Sequence, residues 1–365
     1  MNFLKVERNV AFLILGFAIL GFGMKNFGAA DALDAFKTTD LTTPWLGLTL
    51  EGWVYNLGLP IFFFLVGLEL KHELTDGSFK KFRDLVVPLL AAVFGVAVPA
   101  LIYLAVVGND NEASLGWPIP TATDVTFALA VFILFGSQLP KAARSFLLAF
   151  AVIDDVIAIL ILGFLYLGSP DFGQLGLAAL CALGFWAAVR YLPGGAAWWL
   201  AIPLALACWY LALSSGLQTT LVGVVLALLV PSARVNRTSK VVQPLVGGLV
   251  LPLFALFASA IPVAAVDFAT SAVFWGVLAR PVGKVIGVFG GAWLGTKLVG
   301  AAMPLSTYLR VATLGGVGFT VSLLIAQLTF EIGSAGYAAA ALATLVAAVA
   351  SMVIGAVALA TAKRT

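Results

Sequence analysis

Four ionisable residues of this 365-residue chain stand out inside apolar stretches long enough to cross a bilayer. Asp154 and Asp155 adjoin in AFAVIDDVIAIL, Lys284 lies in RPVGKVIGV, and Asp124 lies in PIPTATDVTFALA. A charged side chain at the bilayer centre costs at least ~2.5–3.5 kcal/mol on insertion scales, so such residues usually face a partner or a water-filled path. Neighbours on a helix point about 100° apart. Asp154 and Asp155 therefore cannot share one environment: one can meet a partner on another helix while the other faces a cavity. Two carboxylates this close resist ionising together, which lets a proton and a small metal cation compete for one site. Lys284 can pair with one of the aspartates when no cation is bound. A purely structural ion-pair network is the competing reading of the same residues.

A second signal is backbone interruption at the same depth. Pro118 and Pro120 precede Asp124, and Gly315, Gly316 and Gly318 stand in LGGVGFTVS. Proline removes a backbone donor and clustered glycine weakens helix continuity. Non-helical backbone inside a membrane is tolerated only where protein or water satisfies it. Opposed half-helix ends place partial charges in the interior. Asp124 is suited to balance the positive ends and Lys284 the negative ones. The alternative is that the glycines only let helices pack closely.

The elements that must carry these residues follow from composition. The chain is 62% hydrophobic and 10% charged, with mean hydropathy +1.09; a soluble domain carries about 25% charged residues. Apolar runs predict about twelve transmembrane helices, near 9–24, 54–74, 85–107, 118–137, 145–167, 174–189, 196–213, 216–230, 244–265, 272–297, 308–329 and 337–361. The whole chain, 1–365, reads as a single transmembrane domain. With the N-terminus inside, sixteen of the twenty Lys and Arg residues fall on the inner side. Only Lys25 and Lys37 fall outside, and Arg280 and Lys284 stay within a helix. Such an excess of basic residues is what orients a membrane protein, cytoplasmic side inward; both termini are thus expected in the cytoplasm. The first run, flanked by Lys5 and Arg8, lacks a small-residue cleavage site and is expected to be retained. Helices 3–5 and 10–12 run in opposite senses, as inverted-topology repeats would. Arg280, one turn outward of Lys284, is expected to snorkel. The net charge of +3 belongs to membrane-side loops and suggests no nucleic acid. Cys181 and Cys208, both inside apolar runs, suggest neither a disulfide framework nor a metal site. No cofactor is expected.

Read together, the motifs resemble the NhaA-type sodium–proton antiporters. The similar segments begin with IFFFLVGLELKHEL at residue 61, GWPIPTATDVTFALAVFILFGSQLP at 116, and AVIDDVIAIL at 151. They continue with SGLQTTLVGVV at 215, LPLFALFASA at 251, GKVIGVFGGAWL at 283, and GGVGFTVSLLIA at 315. The resemblance implies inverted repeats with discontinuous helices 4 and 11. It implies that Asp155 is the main carboxylate exchanging a cation for protons, and that Asp154 is its neighbour, paired with Lys284. Thr123 and Asp124 match the helix-4 break, and Gly316 and Gly318 the helix-11 break. Glu69 and Glu73 match acidic residues of a cytoplasmic pH-response region. Asn56, His72, Gln218 and Gln243 depart from the family pattern, the two glutamines where histidines linked to pH response are usual; His72 reads as a solvated residue of a basic loop. The polar segment from Ala29 to Trp45 reads as an outer loop that resemblance links to dimer contacts.

The implied activity is exchange of Na⁺ or Li⁺ for H⁺ by alternating access in a prokaryotic cell membrane, electrogenic and serving sodium and pH homeostasis. The membrane lipid and a possible homodimer partner are the other expected contacts, and the protein is not expected to be an enzyme. Two other readings compete. A proton-coupled organic anion transporter would be repelled by the Asp pair. An intramembrane aspartyl protease needs facing aspartates on two helices in YD and GxGD contexts, which the sequence lacks.

Overall fold

The computed structural model describes residues 3–42, 46–75, 82–165 and 171–362. Most of its helices are long and apolar, as expected of segments whose solvent is lipid. In chain order the principal ones are α1 (Phe3–Asn26), α2 (Ala30–Lys37), α3 (Leu59–Thr75), α4 (Phe82–Val107) and α5 (Val125–Phe135). There follow α6 (Lys141–Leu165), α7 (Phe172–Tyr191), α8 (Gly194–Ser214), α9 (Thr219–Leu229) and α10 (Ser232–Leu245). The last four are α11 (Arg280–Val299), α12 (Leu305–Ala312), α13 (Thr320–Thr329) and α14 (Ala335–Ala360).

Ten helices among the described residues are long and apolar enough to cross a membrane, and a bent pair, Leu305–Gly316 with Thr320–Thr329 at 46°, makes up to eleven. The protein is all-α and multi-spanning. The expected eighth run is the eleven-residue helix α9, about 16 Å long at 1.5 Å per residue and short of a hydrocarbon core of ~30 Å. The ninth starts at Ser232 rather than near 244, running through the basic segment to Ala258. There Val235 and Thr238 are buried while Arg237 and Lys240 are exposed. That segment is legible by its helical period and not by hydropathy. Within the expected outer loop, 30–37 form a helix, and Lys37 pairs with Glu51 at 2.9 Å. Trp45 lies outside the described residues. His72 sits half-buried on the last turn of α3 and not in a loop.

The chain divides into two compact units. One comprises residues 1–30, 80–158 and 255–365, and contains the same succession twice: a long helix, a broken one, another long helix. Its central pair is α4 and α11. Gly283, Gly287, Gly291 and Gly295 recur every fourth residue along one face of α11. A Cβ on Gly287 would stand 2.2 Å from the Phe94 carbonyl oxygen, and one on Gly291 2.1 Å from that of Leu90. The backbones touch, as small residues permit in membranes, where no hydrophobic force drives helices together. Gly300, at φ +92°, ends α11 in a conformation that L side chains rarely adopt.

The other unit comprises residues 31–79 and 159–254. Here α9 lies on α3, and a Cβ on Gly223 would stand 2.0 Å from the Pro60 carbonyl oxygen. Helix α7 starts at Asp171, whose carboxylate accepts from Gly173 N at 2.8 Å and Gln174 N at 3.3 Å. Cys208 is buried in a core with Phe185 and Trp209, and half-buried Cys181 lies against it. Both thiols are free.

Candidate cation and proton site

Both expected breaks are present in the first unit. The chain leaves a short 3-10 turn at Ile119–Thr121, runs extended through Ala122–Asp124 and begins α5. A 3-10 turn at Thr313–Gly316 follows α12, and the chain then runs non-helically through Val317–Phe319 into α13. The two interruptions lie against each other. Asp124 N donates to the Val317 carbonyl at 2.6 Å, and the Thr123 hydroxyl donates to that of Gly315 at 2.7 Å. A Cβ on Gly318 would stand 2.2 Å from the Ala122 carbonyl oxygen, and one on Gly316 2.5 Å from Ser351 Oγ. At Gly318 the crossing itself leaves no room for a side chain, whereas at Gly316 the space is taken by Ser351 and by the Pro281 backbone.

The Asp124 carboxylate serves two helix starts at once. Oδ1 accepts from Thr126 N at 3.1 Å, capping α5. Oδ2 accepts from the Thr320 hydroxyl at 2.8 Å and from Thr320 N at 3.4 Å, at the start of α13. Helix starts carry unpaired N–H groups and a partial positive charge, so one buried carboxylate satisfies donors of both.

Near the middle of α6, Asp154 is buried and meets Lys284 from the first turns of α11. The Lys284 ammonium donates to both carboxylate oxygens, at 2.8 and 3.0 Å, with neither side chain exposed. Asp155, the next residue, is half-buried. The adjacent carboxylates thus sit in different surroundings, as the helical turn requires. The glycine face of α11 sets this geometry: with Gly283 and Gly287 pressed on α4, Lys284 lies beside the contact and reaches α6.

Arg280 differs from expectation. It does not snorkel but is entirely buried. Nη1 donates to Ser322 Oγ at 3.1 Å and Nη2 to the Thr344 carbonyl at 3.0 Å. The expected tenth span is divided at Ala279 into Ala272–Leu278 and α11. Pro281 has no N–H to continue the ladder there. The division puts Arg280 at an internal helix start, pointing toward α13 and α14. Hydropathy marked Arg280 as unusual, but nothing in its spacing indicated which way it points.

In the second unit, Glu69 is exposed on α3; the Glu73 side chain lies outside the described residues. Asn56 Nδ2 donates to the Gly52 carbonyl at 2.9 Å, and the Asn56 carbonyl accepts from the Trp209 indole. Gln218 stands half-buried just before α9, and Gln243 half-buried on α10.

The chain matches the family described as Na+/H+ antiporter 1 over residues 1–359. It is 38% identical over 346 residues to the Na(+)/H(+) antiporter NhaA 2 of Clavibacter michiganensis subsp. michiganensis, covering 90% of this chain and 84% of that protein. It is 38% identical over 302 residues to the Na(+)/H(+) antiporter NhaA 3 of Streptomyces coelicolor, covering 78% of this chain and 63% of that longer protein. With the Na(+)/H(+) antiporter NhaA 1 of Saccharopolyspora erythraea it shares 41% identity over 330 residues, covering 83% and 79%. Its fold resembles the solved sodium proton antiporter MjNhaP1 of Methanocaldococcus jannaschii, with a TM-score of 0.58 over 96% of this chain and 90% of that one, at 15% identity. On its family match and on the identity and extent of these relatives, the chain belongs to the Na+/H+ antiporter 1 family.

Proposed function

We propose that the protein exchanges Na⁺ or Li⁺ for protons across the cell membrane by alternating access, with Asp154 and Asp155 as the exchanging carboxylates. The observation that carries this reading is the sealed Asp154–Lys284 pair beside half-buried Asp155. In one state Lys284 neutralises Asp154; protonating Asp154 releases the lysine. A cation at Asp155 excludes protons there. A hard cation prefers oxygen ligands, and Thr123, whose hydroxyl hydrogen is given to Gly315, keeps lone pairs that a cation could use. Asp124 holds the crossing, and Gly316 and Gly318 permit it. Two exchangeable carboxylates allow more protons than sodium ions per cycle, and each uncompensated charge is then driven by ~2.3 kcal/mol per 100 mV.

Several finer features belong to the same proposal. The chain crosses the membrane twelve times with α9 as a short eighth crossing, and residues 1–365 form one antiporter domain. The repeated succession in the first unit supports inverted repeats of helices 3–5 and 10–12. The sixteen inner basic residues favour cytoplasmic termini. Glu69 and Glu73 are assigned to pH response, and the segment from Ala29 to Trp45, which includes α2, to homodimer contact. The test is sodium-dependent collapse of a pH gradient in proteoliposomes. Wild-type protein collapses it, and Asp155→Asn does not; full activity in that variant would refute the assignment. Dependence on an organic solute would favour anion transport instead.

A further inference from the structure

One methyl group of α11 touches both α4 and the second break. Val288 is entirely buried, one turn beyond Lys284, and residues four apart share a helix face. Its Cγ2 lies 2.9 Å from the point where a Gly95 Cβ would stand on α4, and 3.1 Å from the corresponding point of Gly315 at the break. The two glycines thus leave the notch that this methyl fills. Lys284 Nζ lies 3.9 Å from the same Gly95 point. The Phe150 ring closes the notch from α6, with Cζ 3.6 Å from the Gly315 point. Behind it stands Phe146, its ring centroid 5.5 Å from that of Phe150 and 4.9 Å from that of Tyr308 on α12. Phe150 in turn lies one turn before Asp154 on α6. Two adjacent layers result: the Asp154–Lys284 pair, and one turn away an apolar layer of Phe150 and Val288 that ends on Gly315. The Gly315 carbonyl is also the acceptor of the Thr123 hydroxyl.

We propose that Val288 is a positioning residue for exchange, whose seated methyl couples the Asp154–Lys284 pair to the break that holds Thr123. A valine on a helix has essentially one χ1 rotamer, so its methyl is fixed to the α11 backbone and indexes that helix against Gly95 and Gly315. The lysine side chain is a flexible four-carbon stem and keeps its two-point contact with Asp154 only while α11 holds that rotation. A turn of α11 that accompanies release of Asp154 presses on Gly315 and reaches Thr123 through one hydrogen bond. Close-packed interiors transmit such displacements because they hold few voids. The functional half of this proposal rests on the exchange reading above; its packing half stands on the fold.

The test is a size swap across the notch, read by sodium kinetics and pH profile in proteoliposomes and by melting temperature in detergent. Val288→Ala raises the apparent KM for sodium about threefold or more with a smaller change in kcat. It also moves the pH of half-maximal exchange by about half a unit or more. Gly95→Ala, which crowds Val288, moves both as well. Combining Gly95→Ala with Val288→Ala returns a methyl to the notch from α4 and recovers most of each change. Val189→Ala, at a buried valine of the other unit, lowers the melting temperature and moves neither KM nor the pH profile. The proposal is overturned if Val288→Ala keeps the wild-type KM and pH profile, if Val189→Ala moves them equally, or if the double variant is no better than the singles. Absence of exchange in the wild type would instead refute the exchange reading. Melting temperatures of the singles and the double would then still decide the packing half, which fails if the two losses simply add.

Discussion

Lys284 and Asp154 form a two-point ion pair with no solvent exposure on either side chain. Such a pair adds little net stability, because desolvation offsets the attraction, but removing one partner strands the other. Lys284→Ala is therefore expected to destabilise the protein by about 3–5 kcal/mol. Combining it with Asp154→Asn should recover much of that loss while leaving exchange abolished. Thermal denaturation in detergent, single variants against double, measures both effects.

Asp124→Asn keeps an acceptor for Thr126 N but removes the charge facing two helix starts. A loss of about 1–2 kcal/mol is expected from capping and dipole terms together. Thr320→Val removes only the hydroxyl donor and should cost about 1 kcal/mol. Equal stability of Asp124→Asn and wild type would mean that the carboxylate charge plays no part at the crossing.

The α4–α11 contact predicts a contrast between adjacent positions. A Cβ at Gly291 would meet the Leu90 carbonyl oxygen at 2.1 Å, whereas one at Gly290 would meet nothing within 4 Å. Gly291→Ala should force the helices apart, costing about 1–3 kcal/mol as overpacking does. Gly290→Ala should be neutral or gain up to about 1 kcal/mol in helix propensity. Denaturation midpoints of the two variants decide the matter.

Gly318→Ala places a methyl group 2.2 Å from the Ala122 carbonyl oxygen. The crossing must open, which displaces Asp124 and Thr123 together. Exchange is expected to fall by about tenfold or more for a barrier increase near 1.4 kcal/mol. Normal turnover in this variant would show that the crossing is not needed in this form.

Competition of one proton with one sodium ion for a carboxylate predicts a linkage. In the range where protons occupy the site, the apparent KM for sodium should rise about tenfold for each unit that pH falls. Initial exchange rates across a sodium series at several pH values give the slope, and a KM independent of pH would exclude a shared site.

The amino-acid sequence alone determined that this chain lives in a membrane, where two of its broken helices lie, and which charges stand inside. Those features are local: apolar length, proline and glycine punctuation, and an ionisable residue in an apolar run are each legible within about twenty residues. Partner choice was not local: the residues themselves left open which aspartate meets Lys284, and only the family resemblance named Asp154. That Asp154 rather than Asp155 holds Lys284 depends on which side of α6 turns toward α11. That Arg280 points inward depends on an interruption at Ala279 and on polar groups of α13 and α14 more than forty residues away. Which face of a membrane helix meets which neighbour is settled by backbone contacts through glycine between distant segments, and those exist only once the chain is folded.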